Sequence, residues 1–334
     1  MSALRIGVVG ATGAVGETLL RVLEERRVPV GHLAAFGSRD RAAAVRYRGA
    51  TLDVHSTSGE ALADRDVVFF AGGESLGEHF FTDLAARGIY CIDNNPTFRL
   101  HDEMPLIVPE INATALEERH RILPVGNCTA ILLSLALAPI RDTAGLREVV
   151  VSTYQAASGA GRAGLEELDR GQRALALGES EAPAAVFPAR LAGNVVPQVG
   201  SFDGDGWSGE ERKVAAETKK MLGLPHLEVS ATCVRVPVRT AHAESILVRT
   251  ERSTTREALR AAFEKAPGIV FHADEIVTPR DVEGSDEVHV ARLRADGNDG
   301  TRFALWCTGD QLRKGAATNA VQILELLIAR GYLQ

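Results

Sequence analysis

The sequence predicts an α/β architecture: a parallel sheet covered by helices in the N-terminal third, then a second region in which strands and helices mix. Three observations carry this expectation. Leu4, Ile6, Val8 and Val9 form an apolar strand that runs into Gly10-Ala11-Thr12-Gly13-Ala14-Val15-Gly16. Leu19, Leu20, Val22 and Leu23 then supply a helical apolar stripe. Strand candidates at His32–Phe36, Val67–Phe70 and Ile89–Ile92, with helix-forming material between the last two, continue the alternation. Such alternation favours a parallel sheet, the layout of a dinucleotide domain. A chain of 334 residues has room for two ordinary domains with full cores.

The second region begins near Cys128. Thr129–Ile140 is apolar enough for a buried helix, and Val149–Tyr154 reads as an interior strand. Gly159–Gly171 reads as a glycine-rich loop followed by a helix, and residues 182–207 show weak periodicity with frequent turn residues. Ser208 with Glu211 is a capping-box signal for a helix ending near Gly223. Strands are expected at Val229–Val236, Ser245–Thr250 and Val288–Leu293. A last helix, Lys314–Ala329, sets Ala317, Val321, Leu324 and Ile328 on one face.

Composition narrows the function classes. Apolar residues make up 45% and charged residues 24%, the mixture of a globular soluble protein. A formal charge of −7 disfavours a broad nucleic-acid surface but leaves room for a local basic pocket that binds a small anion. No apolar run is long enough for a membrane span, and the start lacks the basic head and long apolar core of a signal peptide. Cys91, Cys128, Cys233 and Cys307 are far apart, which suits neither a disulfide framework nor a CxxC metal site. A reducing, cytoplasmic setting without membrane, nucleic acid or metal is the expectation.

Several residues carry chemistry, each with a plain structural alternative. Glycines in residues 10–16 permit a tight turn and let backbone amides approach a phosphate at a helix start; the alternative is a structural turn. Ser38 and Arg39 follow the second strand where an acidic residue would accept ribose hydroxyls; they suit a 2′-phosphate, and so NADP over NAD, although Asp40 opposes this and Arg39 can simply face solvent. Cys128 precedes an apolar helix whose amides and dipole favour a thiolate; it is either a nucleophile or an ordinary buried thiol. Arg235 interrupts an apolar strand and can grip a carboxylate, and His242 returns after a turn as a candidate acid/base; a salt-bridged arginine and a surface histidine are the alternatives. Glu210 and Lys213 share a helical face and can receive an ammonium and an anion, or merely face water. Arg99, after Asp93-Asn94-Asn95, is an anion contact or a surface residue.

Taken together, these segments resemble the aspartate-semialdehyde dehydrogenase family. The matching blocks are GVVGATGAVG at 7–16, DNNPTFR at 93–99, VPEIN at 108–112, GNCTA at 126–130, STYQAASGAGRAG at 152–164, CVRVPVRTAHAES at 233–245 and LRKGAATNAVQ at 312–322. The resemblance implies a Rossmann-like NADP-binding domain, residues 1–127 plus 313–334, and a second mixed-sheet catalytic and dimerisation domain, residues 128–312. It also implies a homodimer or dimer-based tetramer, and a place on the routes to lysine, threonine, methionine and diaminopimelate.

By resemblance, the activity is reversible NADPH-dependent reduction of L-aspartyl 4-phosphate to L-aspartate 4-semialdehyde and phosphate through a cysteine thioester. Cys128 would be the nucleophile, Gln155 the group that positions the reacting acyl group, and His242 the acid/base. Arg99, Asn127, Glu210, Lys213 and Arg235 would bind substrate. Gly10, Ala11, Thr12, Gly13, Ala14, Val15, Ser38, Arg39, Ser158, Gly159 and Asn319 would line the cofactor, with no metal. Related acyl-phosphate or acyl-thioester reductases, such as N-acetyl-glutamyl-phosphate reductase or malonyl-coenzyme-A reductase, are the alternative substrate readings. A non-catalytic nucleotide-binding paralogue is the alternative of another class.

Overall fold

The computed structural model describes residues 3–37, 44–72 and 77–333. It divides into two compact units, one formed by residues 1–127 and 316–334 and the other by residues 128–315.

The first unit is a Rossmann-like sheet of seven strands among the described residues. Its strands are β1 (Leu4–Val9), β2 (Val30–Gly37), β3 (Ala44–Tyr47), β4 (Ala50–Ser56), β5 (Val67–Phe70), β6 (Tyr90–Asp93) and β7 (Ile122–Pro124), in spatial order β3-β4-β2-β1-β5-β6-β7. All neighbours are parallel except the β3–β4 hairpin at one edge. From β1 the chain first adds strands on one side and later crosses to the other. This makes a switch point at the carboxyl ends of β1 and β5, where ligands of open parallel sheets bind.

Helix α1 (Ala14–Glu25) buries Leu19, Leu20, Val22 and Leu23, the stripe expected from the sequence. Helix α2 (Glu78–Ala86) and the short α3 (Pro109–Asn112) follow. The C-terminal helix Thr318–Ala329 returns to this unit, tied to α1 by paired bonds of 2.8 and 2.7 Å from Arg26 to Glu325. Its expected first turn, from Lys314, is instead part of a π-helical segment, Arg313–Ala317.

The second unit holds a mixed sheet of six strands among the described residues, in spatial order β11-β12-β13-β10-β8-β9. These are β8 (Glu148–Gln155), β9 (Glu228–Arg235), β10 (His242–Arg249), β11 (Ile269–His272), β12 (Val288–Ala295) and β13 (Arg302–Gly309). The pairs β8–β9 and β11–β12 are parallel, and the central pairs are antiparallel. Helices α4 (Cys128–Ala144), α5 (Gly161–Leu177), α6 (Gly209–Leu222) and α7 (Arg256–Phe263) complete the unit. Every residue from Thr129 to Leu137 in α4 is buried, which is why this segment is apolar all round. The capping box forms as expected: Ser208 Oγ accepts from Glu211 N, and Glu211 accepts from Ser208 N at 2.7 Å.

Strands β3, β4, β7, β11 and β13 and helix α7 go beyond the elements read from the sequence. No helix among the described residues is long and apolar enough to cross a membrane.

Candidate active site

In the first unit the turn after β1 is packed backbone to backbone. Gly10 has φ +77, and a Cβ there would lie 2.2 Å from the Gly72 carbonyl oxygen. A Cβ on Gly16 would lie 2.3 Å from the Gly10 oxygen and 2.7 Å from Ala11 Cα. Positions 10 and 16 therefore leave no room for a Cβ, and Gly13 opens α1 with no side-chain cap. The first amides of the helix are therefore presented to an anion, which suits a dinucleotide pyrophosphate. Ala11, Thr12, Ala14 and Val15 complete this turn. Ser38 and Arg39 lie outside the described residues. Asn319 is fully buried and donates to the Ile107 carbonyl oxygen at 2.9 Å.

At the carboxyl end of β6, Asp93 is buried and accepts from Asn95 N at 3.0 Å and Asn95 Nδ2 at 2.7 Å. Burial outweighs those bonds and the nearby Arg99 charge, and lifts the Asp93 carboxyl to about 6. Arg99 is itself buried and donates to the Asn94 carbonyl oxygen at 2.6 Å. Asn127, also buried, ends this unit immediately before Cys128.

The second unit gathers the remaining candidates. Cys128 is the first residue of α4 and is partly accessible, whereas Cys91, Cys233 and Cys307 are buried. Burial pushes those three thiols well above their ordinary value, leaving them unreactive. Gly315 packs against Cys128, with room for no Cβ: one there would come within 2.8 Å of Cys128 Cβ.

Gln155, at the end of β8, is a hub. Its Nε2 donates to Thr129 Oγ1 at 3.0 Å and to Glu210 Oε1 at 3.0 Å, and its Oε1 accepts from Thr153 Oγ1 at 3.1 Å. The neighbour of Cys128 and the carboxylate on α6 thus share one amide. Glu210 is mostly buried, and the half-exposed Lys213 stands 3.8 Å from it.

Arg235 pairs with Gln155 across β8 and β9, and its Nη1 donates to the Ala156 carbonyl oxygen at 2.6 Å. Burial lowers its pKa, while Glu210 and Cys128 favour its charged form. His242 opens β10, fully buried, with Nδ1 accepting from Ala156 N at 3.1 Å. A backbone N–H can only donate, so the neutral ring carries its proton on Nε2. Burial first, and then Arg235, lower its pKa to about 3. The Nε2–H has no acceptor among the described residues.

Gly159 lies against both groups: a Cβ there would stand 2.7 Å from Arg235 Nη1 and 3.4 Å from His242 Nε2. The Ser158 hydroxyl accepts from Gln311 Nε2, and Gln311 Oε1 accepts from Ala241 N at 2.7 Å. Ala241 has φ +67, a costly conformation for alanine, immediately before His242.

Thr129, Thr153 and Gln311 were not singled out from the sequence. Thr153 had a signal, since it shares a strand face with Gln155 at period two. Gln311 is a polar residue just past the end of β13, and that strand itself went unread. Among the described residues no group of three or more His, Cys, Asp or Glu side chains is arranged to hold a metal.

Comparison with known proteins agrees with the two-unit architecture. A family model described as semialdehyde dehydrogenase, NAD binding domain, matches residues 5–119, and one described as semialdehyde dehydrogenase, dimerisation domain, matches residues 137–314. The aspartate-semialdehyde dehydrogenase of Aquifex aeolicus is 38% identical, with 98% of this chain and 99% of that protein covered. That of Bacillus subtilis is 37% identical, with 97% of each covered. The crystal structure of aspartate semialdehyde dehydrogenase II from Vibrio cholerae, solved also in complex with ASA, has a TM-score of 0.93 at 36% identity, covering 98% of this chain and 99% of that one. With a glycine-turn nucleotide unit, a mixed-sheet dimerisation unit and near full-length identity of this order, the chain belongs to the aspartate-semialdehyde dehydrogenase family.

Proposed function

We propose that this enzyme catalyses the reversible NADPH-dependent reduction of L-aspartyl 4-phosphate to L-aspartate 4-semialdehyde and phosphate through a thioester on Cys128. The observation that carries this reading is the Gln155 amide, bonded at once to Thr129 beside Cys128 and to Glu210. It sets a nucleophile and an acceptor for an α-ammonium group in one frame. The Cys128 thiolate attacks the acyl carbon and the carbon–oxygen bond to phosphate breaks; Arg99, Lys213 and Asn127 serve as the contacts for the departing phosphate and the substrate anion.

His242 holds a proton at Nε2 and donates it as a hydrogen bond to the carbonyl oxygen as that oxygen gains negative charge. Gln155 orients the same carbonyl. Arg235 grips the α-carboxylate in a buried setting where a bidentate contact is strong. NADPH supplies the hydride that reduces the thioester. The Gly10–Val15 turn binds its pyrophosphate, Asn319 and the Ser158–Gly159 turn serve the nicotinamide side, and Ser38 and Arg39 read the 2′-phosphate. Collapse of the resulting thiohemiacetal expels the Cys128 thiolate and releases the aldehyde. The reading carries with it a homodimer or dimer-based tetramer, a cytoplasmic location, and the substrates aspartyl phosphate or aspartate semialdehyde with phosphate.

The test measures NADP reduction with aspartate semialdehyde and phosphate, beside acetylglutamate semialdehyde and an NAD control. Cys128→Ala should abolish turnover while NADPH still binds. Near wild-type turnover in that variant, or preference for the acetylated substrate, would overturn the assignment.

A further inference from the structure

Glu244 is a buried acid that the proposed reaction does not use. Glu244 lies in β10 two residues after His242 and has no solvent exposure. Neither of its carboxyl oxygens has a hydrogen-bond partner among the described residues. Its ladder partners are Cys307 in β13 and Thr153 in β8, and Thr153 stands opposite Cys233 in β9. Facing residues on adjacent strands point to the same side of a sheet. These four side chains therefore form a row beneath the level of His242, Gln155 and Arg235. Cys307 Sγ donates to the Leu132 carbonyl oxygen of α4 at 3.8 Å, so the row faces the helical layer.

Chemistry fixes the direction of the hydrogen bonds that start from this row. The Glu210 carboxylate only accepts, so the Gln155 atom facing it is Nε2, and Oε1 then faces Thr153. The Thr153 hydroxyl must donate to Oε1, which leaves its lone pairs to accept. A carboxyl with no facing donor is driven to its neutral form, because a desolvated charge costs far more than a desolvated acid. Burial accordingly raises Glu244 well above the ordinary carboxyl value. A neutral carboxyl is a donor, whereas the Cys233 thiol on the other side of Thr153 is a weak one.

We propose that Glu244 is a positioning residue for this site: its carboxyl O–H donates, through one bridging water, to Thr153 Oγ1. That commits the Thr153 proton to Gln155 Oε1 and fixes the orientation of the Gln155 amide. Glu244 and Thr153 stand directly opposite each other in the ladder, and buried waters commonly serve polar groups left without a protein partner. An ionised Glu244 would draw the Thr153 proton to itself and leave Gln155 Oε1 without a donor. The inference rests on the reading of Gln155 as the residue that orients the reacting carbonyl.

Two variants separate positioning from packing. Glu244→Gln keeps a donor, while Glu244→Met keeps the volume and removes it. Packing alone predicts that Glu244→Met is fully active, and neutral or stabilised, since it replaces an unsatisfied buried polar group with an apolar one. Positioning predicts a folded variant that loses kcat by about 10- to 100-fold, with the KM for NADP unchanged, while Glu244→Gln stays within about threefold. Thr153→Val should reproduce the loss, and the double variant should lose no more than either single one.

Full kcat in Glu244→Met, or Glu244→Gln as slow as Glu244→Met, overturns the proposal. If Glu244→Met does not fold, Thr153→Val at the wild-type rate overturns it and a slow Thr153→Val beside an active Glu244→Gln supports it. Infrared spectra of the whole enzyme at neutral pH give a readout independent of turnover: a protonated-carboxyl band lost in Glu244→Gln is expected, and no such band overturns the proposal. A wild-type enzyme that shows the band but does not use the semialdehyde instead marks failure of the proposed reaction.

Discussion

Gly159→Ala adds a single methyl group against the buried Arg235 guanidinium, which must shift to admit it. The new Cβ would stand 2.7 Å from Arg235 Nη1, the same nitrogen that donates to the Ala156 oxygen at 2.6 Å, and 3.4 Å from His242 Nε2. Arg235 is only 6% exposed, so the guanidinium cannot retreat into solvent without leaving its partner. A hydrogen bond from a charged group contributes about 1.5–3 kcal/mol. At about 1.4 kcal/mol per factor of ten, its loss corresponds to a fall of roughly 10- to 150-fold in kcat/KM for the semialdehyde. The KM for NADP should change less than that for the semialdehyde, because the glycine turn of the nucleotide unit is untouched and only the Ser158–Gly159 turn on the nicotinamide side is altered. Steady-state kinetics in the oxidative direction, with a thermal melt to verify folding, decide the matter. A folded Gly159→Ala enzyme with kcat/KM within about twofold of wild type would refute the claim that Arg235 must keep this position for substrate.

Two further perturbations have signs fixed by the same geometry. Gly16→Ala would be stabilising by about 1 kcal/mol on helix propensity alone, yet its Cβ meets backbone at 2.3 and 2.7 Å, so lower stability and at least about tenfold weaker NADPH binding are expected; a stabilised variant with unchanged Kd would show that the turn yields. His242 is held neutral by burial, with its pKa lowered from 6.5 to about 3. The unfolded chain therefore binds the extra proton first, and stability that is full above about pH 6.5 declines as pH falls toward 3. His242→Gln should lose less stability than wild type across that window in urea melts, and parallel curves for the two proteins would contradict the assignment.

How much of this was legible beforehand follows from the range of the interactions. The β1 strand, the glycine turn and the α1 stripe were readable because period and turn chemistry are local: Gly10, which has φ +77, is the residue type that takes a left-handed turn without steric cost. The Ser208–Glu211 box was readable for the same reason, as both bonds close within one helical turn. Strand β13 was missed because Phe303, Ala304 and Leu305 form a continuous buried run without alternation, which a buried helix would share.

The sequence by itself determined the nucleotide turn, the capped and apolar helices, most of the strands and, through ordered motif blocks, the family. Tertiary structure alone decided what those residues do to one another. Gln155 meets Thr129 and Glu210 from 26 and 55 positions away, and the Nε2 proton of His242 follows from an amide 86 positions earlier. A methyl on Gly159 would meet the Arg235 guanidinium, a neighbour 76 positions away that no local backbone angle announces. Local preferences act through neighbouring dihedrals and are written in the order of residues. Desolvation, tautomers and steric room arise only when distant segments are packed together, and no window of sequence contains them.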